Sequence, residues 1–325
     1  MTILIPKKKK DMTNIYNMRP ITMFPLITNL IVRIISTRLV VLIQDHGLLH
    51  VNNRGFIKGG NTAQCIDAVL DLVEECRGSE HLHMVKLDIR KAYDSVQFFH
   101  VQMAFERLCA PPRVVHMFMN LVKGGTRRIR TAYGYTSDVL AMRSLGQGMS
   151  ASAPIFAVVI DSLHAQMAHR FSTVLFKSPS IGFADDITLL CRLFSVLVDM
   201  LAYSVTWCLA HHLQLAGDKI EHYMKGDISS ITPLVVDHTK IIPRGGDQEI
   251  DYLGIQFTLN GDLSCLVRSL DNLKYGGARN YIVTMSCENL INISNDRGCE
   301  SGVEHPSLVF DSAWDSCFGI ILLVF

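Results

Sequence analysis

Apolar residues recur along this chain at two spacings, and each spacing predicts a different kind of element. Where apolar side chains return every three to four residues, as they do from Ile66 to Val73, one face of a helix is indicated. With capping and breaking residues added, helices are predicted over about 26–44, from Asn61 or Thr62 to about Gly78, from Ser95 to Pro111–Pro112, up to Gly124–Gly125, after the GQGMSAS loop with Pro154 in the first turn, and over 194–212.

Short apolar runs that end at charged or turn residues predict strands. They are MVKLD (84–88), IGFA (181–184), ITLLC (187–191), KIEHYM (219–224) and YLGIQFTL (252–259), with a strand-like segment over 52–60 and a hairpin over 126–142 that turns around Gly134. Helices and strands therefore mix irregularly, without the strict alternation of a doubly wound sheet. This mixture favours an α+β fold.

Two adjacent acidic residues, Asp185 and Asp186, stand between two of these apolar runs. Neighbouring side chains of a strand point to opposite faces, so both carboxylates can approach one site only at a hairpin tip. A polar turn is the alternative interpretation. A third carboxylate, Asp88, also ends an apolar strand. If the three converge, they could hold two Mg²⁺ ions about 4 Å apart, an arrangement that serves nucleotidyl transfer.

Composition narrows the possible functions only slightly. The 325 residues are 49% hydrophobic, with a mean hydropathy of +0.24 and a formal net charge of +1. A sizeable core is therefore available, and the total charge argues neither for nor against a polyanionic partner. Basic residues cluster locally, at Lys7–Lys10 and over 123–130. Asn29, Arg33 and Arg38 interrupt the first long helix, which predicts an amphipathic helix and no membrane span.

The nine cysteines are dispersed without a CxxC pair, which is typical of reduced thiols inside cells. No apolar signal-peptide core follows the charged N-terminus, so an intracellular location, nucleus or cytoplasm, is predicted. Cys208, His211 and His212 are either metal ligands or the end of a helix. No second pair of ligands lies near them in the sequence, which favours the helix end.

Seven sequence blocks, in order over about residues 3–260, resemble the reverse transcriptases of non-LTR (LINE-like) retrotransposons, which are related to group II intron enzymes. The blocks are LIPKKKKDMTNIYNMRPITMFPLITNLIVRIISTRL, NNRGFIKGGNTAQCIDAVL, VKLDIRKAYDSV, SLGQGMSASAPIFAVVID, GFADDITLL, LQLAGDKIEHYM and YLGIQF. A single block is a weak to moderate signal, but seven in the order of the family, at sensible spacing, are a strong one. Two loops depart from the family pattern, at Met149–Pro154 and at Ala216–Lys219.

The resemblance implies a role for each candidate residue. Asp88, Asp185 and Asp186 would hold two Mg²⁺ ions, with Mn²⁺ as a replacement. The other implied roles are sugar discrimination by Tyr93, lining of the nucleotide pocket by Gln147 and Gly148, triphosphate binding by Lys7 and Arg19, proton donation to the leaving pyrophosphate by Lys219, and binding of template or primer phosphates by Arg127, Arg128 and Arg130. The alternatives are structural: a core tyrosine, a loop–helix junction and solvated surface charge. Expected partners are an RNA template, a DNA primer and dNTPs, with no membrane.

The implied fold is a right-hand polymerase of the α+β class, with a ferredoxin-like antiparallel palm sheet covered by helices. The fingers would comprise residues 1–82 and 113–146, and the palm residues 83–112 and 147–265. A thumb should follow YLGIQF, but residues 266–325 look like a truncated or aberrant tail, so the thumb is expected to be largely missing. The chain therefore looks like a fragment of a longer polyprotein encoded by the element.

Three functions stay open from the sequence. The first is an RNA-directed DNA polymerase that adds dNTPs to a primer 3′-OH by a two-metal mechanism. The second is a catalytically inactive remnant of a retrotransposon polyprotein that at most binds nucleic acid. The missing thumb favours this remnant, and the intact site residues oppose it. The third is an RNA-dependent RNA polymerase, which Tyr93 disfavours because its ring would clash with a ribose 2′-OH.

Overall fold

The computed structural model of the protein describes residues 1–6, 14, 17–55, 62–79, 81–123, 125–131, 133–173 and 179–260. Lys7 and the C-terminal segment 266–325, for which the sequence makes predictions, lie outside the described residues. The chain forms two compact units. The larger unit comprises Met1–Gln248 with Leu259–Gly261, and the smaller one contains Glu249–Thr258.

The described residues form helices and strands in an irregular order. The helices are α1 (Leu26–Asp45), α2 (Thr62–Glu75), α3 (Ala92–Ser95), α4 (Phe98–Arg107), α5 (Pro112–Val122), α6 (Ser152–Phe171) and α7 (Phe194–Ala210). The strands are β1 (Thr2–Pro6), β2 (Met18–Thr22), β3 (Leu82–Asp88), β4 (Thr126–Arg127), β5 (Ile129–Thr131), β6 (Gly134–Tyr135), β7 (Val139–Leu140), β8 (Ser180–Phe183), β9 (Asp186–Cys191), β10 (Glu221–Lys225), β11 (Leu234–Val236), β12 (Thr239–Ile241), β13 (Arg244–Gly245), β14 (Ile250–Tyr252) and β15 (Ile255–Phe257). The predicted mixture of helices and strands is confirmed.

A five-stranded sheet organises the larger unit, in the order β13-β10-β3-β9-β8. Neighbouring strands are antiparallel, except that β10 and β13 run parallel. β3 and β9 are buried over most of their length, and each has its acidic residue at the same end of the pair. The apolar residues of β3 and β9 are therefore buried in the core, and the two aspartates lie where the paired strands end.

Helices supply the core on which this sheet rests. Val85, Leu87, Ile187 and Leu189 alternate along β3 and β9 and join an apolar core shared with α4, α6 and α7. α2 packs against β8 through a buried face that contains Ile66 and Val73, which confirms the helix predicted from Asn61 or Thr62 to about Gly78. Burial of each large apolar side chain contributes about 1.5–3 kcal/mol.

A second sheet joins the N-terminus to the hairpin predicted over 126–142. Its order is β2-β1-β5-β6, with β1 antiparallel to β2 and parallel to β5. β5 and β6 pair as Thr131↔Gly134, so the hairpin turns just before Gly134. In the smaller unit, β14 and β15 form an antiparallel hairpin that turns at Leu253–Gly254.

The prediction that Ser95 caps a helix stopped by Pro111–Pro112 is wrong. Ser95 is the last residue of the one-turn helix α3, and its hydroxyl donates to the carbonyl oxygen of Arg90. Serine favours helix ends because its hydroxyl bonds nearby backbone, and here it serves the preceding turn instead. α4 begins at Phe98 and ends at Arg107, and Pro112 opens α5, where a missing N–H costs nothing.

α1 is long and apolar enough to cross a membrane by length and composition alone, with a mean hydropathy of 2.0. The core helix of a soluble protein and a signal sequence pass the same test, so this is weak support for a membrane span. Val32, Ile35 and Leu39 of α1 are buried in the core of the larger unit. The absence of a membrane span stays a prediction.

Candidate active site

The sheet register brings together two of the three predicted carboxylates. β3 and β9 are antiparallel, and Asp88 pairs directly with Asp186. Residues directly opposite each other in an antiparallel pair have Cα atoms about 4.5–5.5 Å apart and point to the same face. The carboxylates of Asp88 and Asp186 therefore share one face at the end of the sheet.

Asp185 lies in the two-residue turn between β8 and β9. The last pair of this hairpin is Phe183↔Asp186, which leaves Ala184 and Asp185 as the turn. Ala184 has φ +63°, a conformation that few residues other than glycine adopt. The turn breaks the pleat, so Asp185 is not obliged to point away from Asp186.

Nearby positive charges only partly offset the burial and mutual repulsion of these carboxylates. Burial raises the pKa of Asp185, and Asp88 raises it further, while Lys219 and Arg19 offset part of the effect. The side chain of Asp186 is partly open to solvent. Its pKa is raised by partial loss of hydration and, to a smaller extent, by the negative charges of Asp185 and Asp88. Such mutual repulsion is what a bound cation would relieve.

Lys219 supplies one positive charge at this site. Its Nζ donates to both carboxylate oxygens of Asp88, at 2.8 and 2.9 Å. Lys219 lies in the short 3₁₀ turn Gly217–Lys219, and the preceding Ala216 N–H donates to the carbonyl oxygen of Asp88. Side chain and backbone of Asp88 are thus both tied to this segment.

The donor set fits a hard divalent ion, although no metal geometry is preformed. Across the residues that the structure describes, no three histidine, cysteine or acidic side chains are arranged to hold a metal ion. The carboxylate of Asp88 points to Lys219 in this structure. The three aspartates offer only oxygen atoms as ligands. Oxygen ligands of this kind are those preferred by Mg²⁺.

Tyr93 borders the carboxylates from α3, directly after the β3 strand. Burial raises the pKa of its hydroxyl, and the negative charges of Asp185 and Asp186 raise it further. Its ring packs on Phe156 of α6, with centroids 5.0 Å apart. The tyrosine is therefore held against the apolar core beside the carboxylates.

The loop that carries Gln147 and Gly148 is held by Asp94, a residue that the sequence analysis did not name as a candidate. Gln147 Nε2 donates to Asp94 at 3.2 Å, and Ser144 Oγ donates to the other oxygen of Asp94, also at 3.2 Å. Asp94 stands one residue after Tyr93, and burial raises its pKa. Only its place after Tyr93 in the VKLDIRKAYDSV block marked it in the sequence.

Gly148 lies against strand β2, which also carries Arg19. Its φ is +109°, and a Cβ atom there would lie 2.9 Å from the carbonyl oxygen of Thr22. The Thr22 N–H donates to the carbonyl oxygen of Gln147 at 2.7 Å. Arg19 is exposed three residues earlier in the same strand, and its charge lowers the pKa of Asp185.

The three arginines of the hairpin have different surroundings. Arg127 is partly buried near Asp94, and burial lowers its pKa. Arg128 is exposed and pairs with Asp138. Arg130 is exposed on β5 and pairs in register with Ile3 of β1. Arg127 thus faces the Gln147 loop, and the other two remain on the surface.

Comparison with known sequences identifies the family. The profile of the family described as "Reverse transcriptase (RNA-dependent DNA polymerase)" matches residues 5–257. The chain belongs to this family. The resemblance to a reverse transcriptase is thereby confirmed. Retrotransposon relatives are consistent with its non-LTR type.

Among curated proteins, the chain is similar to the Pol polyprotein of the type-1 retrotransposable element R2 from Popillia japonica, with 29% identity over 58% of this chain and 27% of the relative. It is 23% identical to the R2 polyprotein of Nasonia vitripennis, over 84% of this chain and 27% of the relative. A third relative is the probable RNA-directed DNA polymerase from transposon X-element of Drosophila melanogaster, 23% identical over 54% of this chain and 19% of the relative. The chain spans about a quarter of the length of the two R2 relatives.

Among solved structures, the fold is similar to telomerase from Candida albicans, solved in complex with a fragment of telomeric RNA. The TM-score is 0.54 at 12% identity, over 91% of this chain and 52% of the telomerase chain. Identity this low shows the fold alone, which is that of a polymerase with mixed helices and sheets.

Proposed function

We propose that this chain is an RNA-directed DNA polymerase that adds dNTPs to a primer 3′-OH. One observation carries the proposal: within a reverse transcriptase fold, the β3–β9 register places Asp88 beside Asp186, next to the turn that holds Asp185. Three neighbouring carboxylates, two with a raised pKa and one paired with Lys219, suit phosphoryl-transfer chemistry once they turn towards bound metal ions. The proposed partners are an RNA template, a DNA primer and dNTPs, inside the cell.

Asp88, Asp185 and Asp186 are the proposed ligands of two Mg²⁺ ions, with Mn²⁺ as a replacement. When bound, such ions lower the pKa of an attacking hydroxyl and neutralise charge on a triphosphate. For this, Asp88 must release Lys219. Lys219 would then be free to donate a proton to the leaving pyrophosphate, while Arg19, with Lys7, binds the triphosphate, since arginine forms paired hydrogen bonds with phosphate oxygens.

Gln147 and Gly148 are proposed to line the nucleotide pocket. Asp94 accepts a hydrogen bond from Gln147 and so orients its amide, and Gly148 allows the backbone to approach strand β2 closely. Arg127, Arg128 and Arg130 are proposed to contact template or primer phosphates, which position nucleic acid without reading its sequence. Nucleic acid would have to displace Asp138 from Arg128.

The right-hand division into fingers and palm is part of the proposal. The four-stranded sheet supports fingers built from 1–82 and 113–146, because it pairs β1 and β2 with β5 and β6. The proposed palm comprises 83–112 and 147–265, and the five-stranded sheet supports the part of it up to Gly245, because β3 pairs with β9 and β10.

The test of the proposal is primer extension on poly(rA)/oligo(dT) with Mg²⁺ and dTTP. Extension that depends on Mg²⁺ and on dTTP supports the polymerase. Silence together with retained template binding supports the inactive remnant. Faster extension with UTP than with dTTP supports an RNA-dependent RNA polymerase instead.

Replacing Tyr93 with valine is expected to weaken discrimination against ribonucleotides. The ring is fixed by Phe156 beside the aspartates, and its removal makes room for a 2′-OH. We expect the ratio of kcat/KM for dTTP to that for UTP to fall about tenfold to a hundredfold. Tyr203→Val, which removes a partly buried tyrosine on α7, is the control and should leave the ratio unchanged. An unchanged ratio in Tyr93→Val would leave the tyrosine as a core residue only.

A further inference from the structure

A buried polar cluster behind the aspartate turn has no part in the chemistry proposed above. At its centre is Asp161 of α6, whose side chain is fully buried. Its Oδ1 accepts from the His50 N–H at 2.7 Å and from Asn53 Nδ2 at 3.1 Å, and its Oδ2 pairs with Arg107. Burying a carboxylate costs several kcal/mol unless its oxygens are satisfied. Here two of the three donors come from segment 50–55.

Segment 50–55 runs along the strand that leads to the turn. The Gly182 N–H donates to the carbonyl oxygen of Asn52 at 2.8 Å, and the Arg54 N–H donates to the carbonyl oxygen of Gly182 at 2.9 Å. Asn53 and Gly182 thereby form a parallel bridge. Asn53 Nδ2 also donates to the carbonyl oxygen of Ala157 at 2.8 Å, which ties the same residue to α6.

The end of this segment meets the turn itself. A Cβ atom on Gly55 would lie 2.4 Å from the backbone nitrogen of Ala184, so the two backbones are in direct contact. Ala184 has the unfavourable φ of +63°. A residue in such a conformation persists when its surroundings hold it there. Gly55 is in contact with this residue, and Asp185 is the next residue in the chain.

We propose that Asp161 and Asn53 are positioning residues that act through segment 50–55, fixing the Ala184–Asp185 turn so that the Asp185 carboxylate lies beside Asp88 and Asp186. His164 of α6 closes the same layer: a Cβ atom on Gly182 would lie 2.2 Å from its Nε2, and its Nδ1 lies 3.1 Å from Ser180 Oγ. In this proposal, the buried charge of Asp161 serves to hold segment 50–55 in place. The effect on metal binding and catalysis rests on the proposed function, and the effect on the turn does not.

Amide hydrogen exchange measured without metal tests the mechanical part. The Gly182 amide reports on segment 50–55, and the Val85 amide in the middle of β3 reports on global opening. In Asp161→Ala and in Asn53→Ala we expect exchange at Gly182 to accelerate about tenfold more than at Val85, because the opening is local. Leu163→Ala, a cavity variant in the same helix, should accelerate both amides equally.

The affinity for Mn²⁺, measured without substrate, provides a second test. A residue that only stabilised the fold would leave this affinity unchanged. Residues that orient metal ligands typically change affinity or activity about tenfold to a hundredfold. We expect that loss in Asn53→Ala and Asp161→Ala, and no such loss in Leu163→Ala. Asp161→Asn keeps Oδ1 as an acceptor for His50 and Asn53, so it should recover most of the affinity lost in Asp161→Ala.

The outcomes separate the two proposals. Equal acceleration at Gly182 and Val85 in Asn53→Ala, with unchanged Mn²⁺ affinity, would overturn the positioning role even if the wild type polymerises. A local acceleration in a chain that does not extend primers would overturn the polymerase and keep the positioning of the turn. Asn53→Ala decides the question even if Asp161→Ala fails to fold, because it leaves the Asp161–Arg107 pair intact.

Discussion

Asp185→Asn is expected to abolish primer extension while making the metal-free protein more stable. The substitution keeps the shape of the side chain and removes one of three carboxylates proposed to bind Mg²⁺. We expect kcat/KM to fall by about 10³-fold, which corresponds to about 4 kcal/mol of transition-state stabilisation. Steady-state primer extension measures the loss, with Asp199→Asn on the exposed face of α7 as the matched control.

The gain in stability follows from the pKa shift. Burial and the neighbouring Asp88 raise the pKa of Asp185 above its unfolded value, so the folded state binds the proton more tightly than the unfolded state. Stability therefore falls as pH rises from the unfolded pKa through the raised folded pKa, and ionised Asp185 destabilises the fold above both values. Without metal, the melting temperature of Asp185→Asn should exceed that of wild type at neutral pH, and the difference should shrink in acid.

Two results would contradict this account of Asp185. If Asp185→Asn melted below wild type at neutral pH in the absence of metal, the carboxylate would be stabilised by partners rather than strained by repulsion. If it retained full primer extension, Asp185 would not be a ligand, and Asp88 and Asp186 alone would have to serve. Asp199→Asn should match wild type in both measurements.

Gly148→Ala is expected to cause the second-largest loss of activity. The backbone at Gly148 has φ +109°, and a methyl group there would meet the carbonyl oxygen of Thr22 at 2.9 Å and Ile21 Cγ2 at 3.3 Å. Backbone conformations of this kind cost other residues about 1–3 kcal/mol. The loop must then move away from β2 and carry Gln147 with it. Displacements of about 1 Å in a positioned group cost on the order of 10²-fold in rate.

Gly134→Ala separates backbone strain from the steric clash at Gly148. Gly134 has φ +119°, close to that of Gly148, but no atom lies within 4 Å of the position that its Cβ would occupy. Steady-state kinetics should show a fall of about 10²-fold in kcat/KM for dTTP in Gly148→Ala and a far smaller change in Gly134→Ala. Equal losses in the two variants would show that strain, and not contact with β2, decides the effect.

Lys219 links the metal-free structure to the proposed chemistry. In the described structure it neutralises Asp88, the carboxylate that must turn to bind a metal ion. The pair is partly exposed, so its net contribution to stability is small, of the order of 0–1 kcal/mol. A weak pair of this kind can be released when a divalent cation binds, and the same lysine then becomes available beside the triphosphate.

The sequence alone determined the features of this protein that depend on neighbours along the chain. The apolar runs before Asp88 and on both sides of Asp185–Asp186 predicted the strands and the hairpin, because a strand and its turn are set by local periodicity and backbone preference. Seven blocks in the order of a known family added the overall fold. Ser95 shows the limit of such local signals, since the same hydroxyl can serve the helix that follows it or the turn that precedes it.

Only the tertiary structure decided which distant groups meet. The register that pairs Asp88 with Asp186, the hydrogen bond from Gln147 to Asp94 and the bonds from segment 50–55 to Asp161 join residues far apart in the chain. Spacing and composition do not encode such partners, because a buried polar group is satisfied by whatever donor the packing of the core brings within reach.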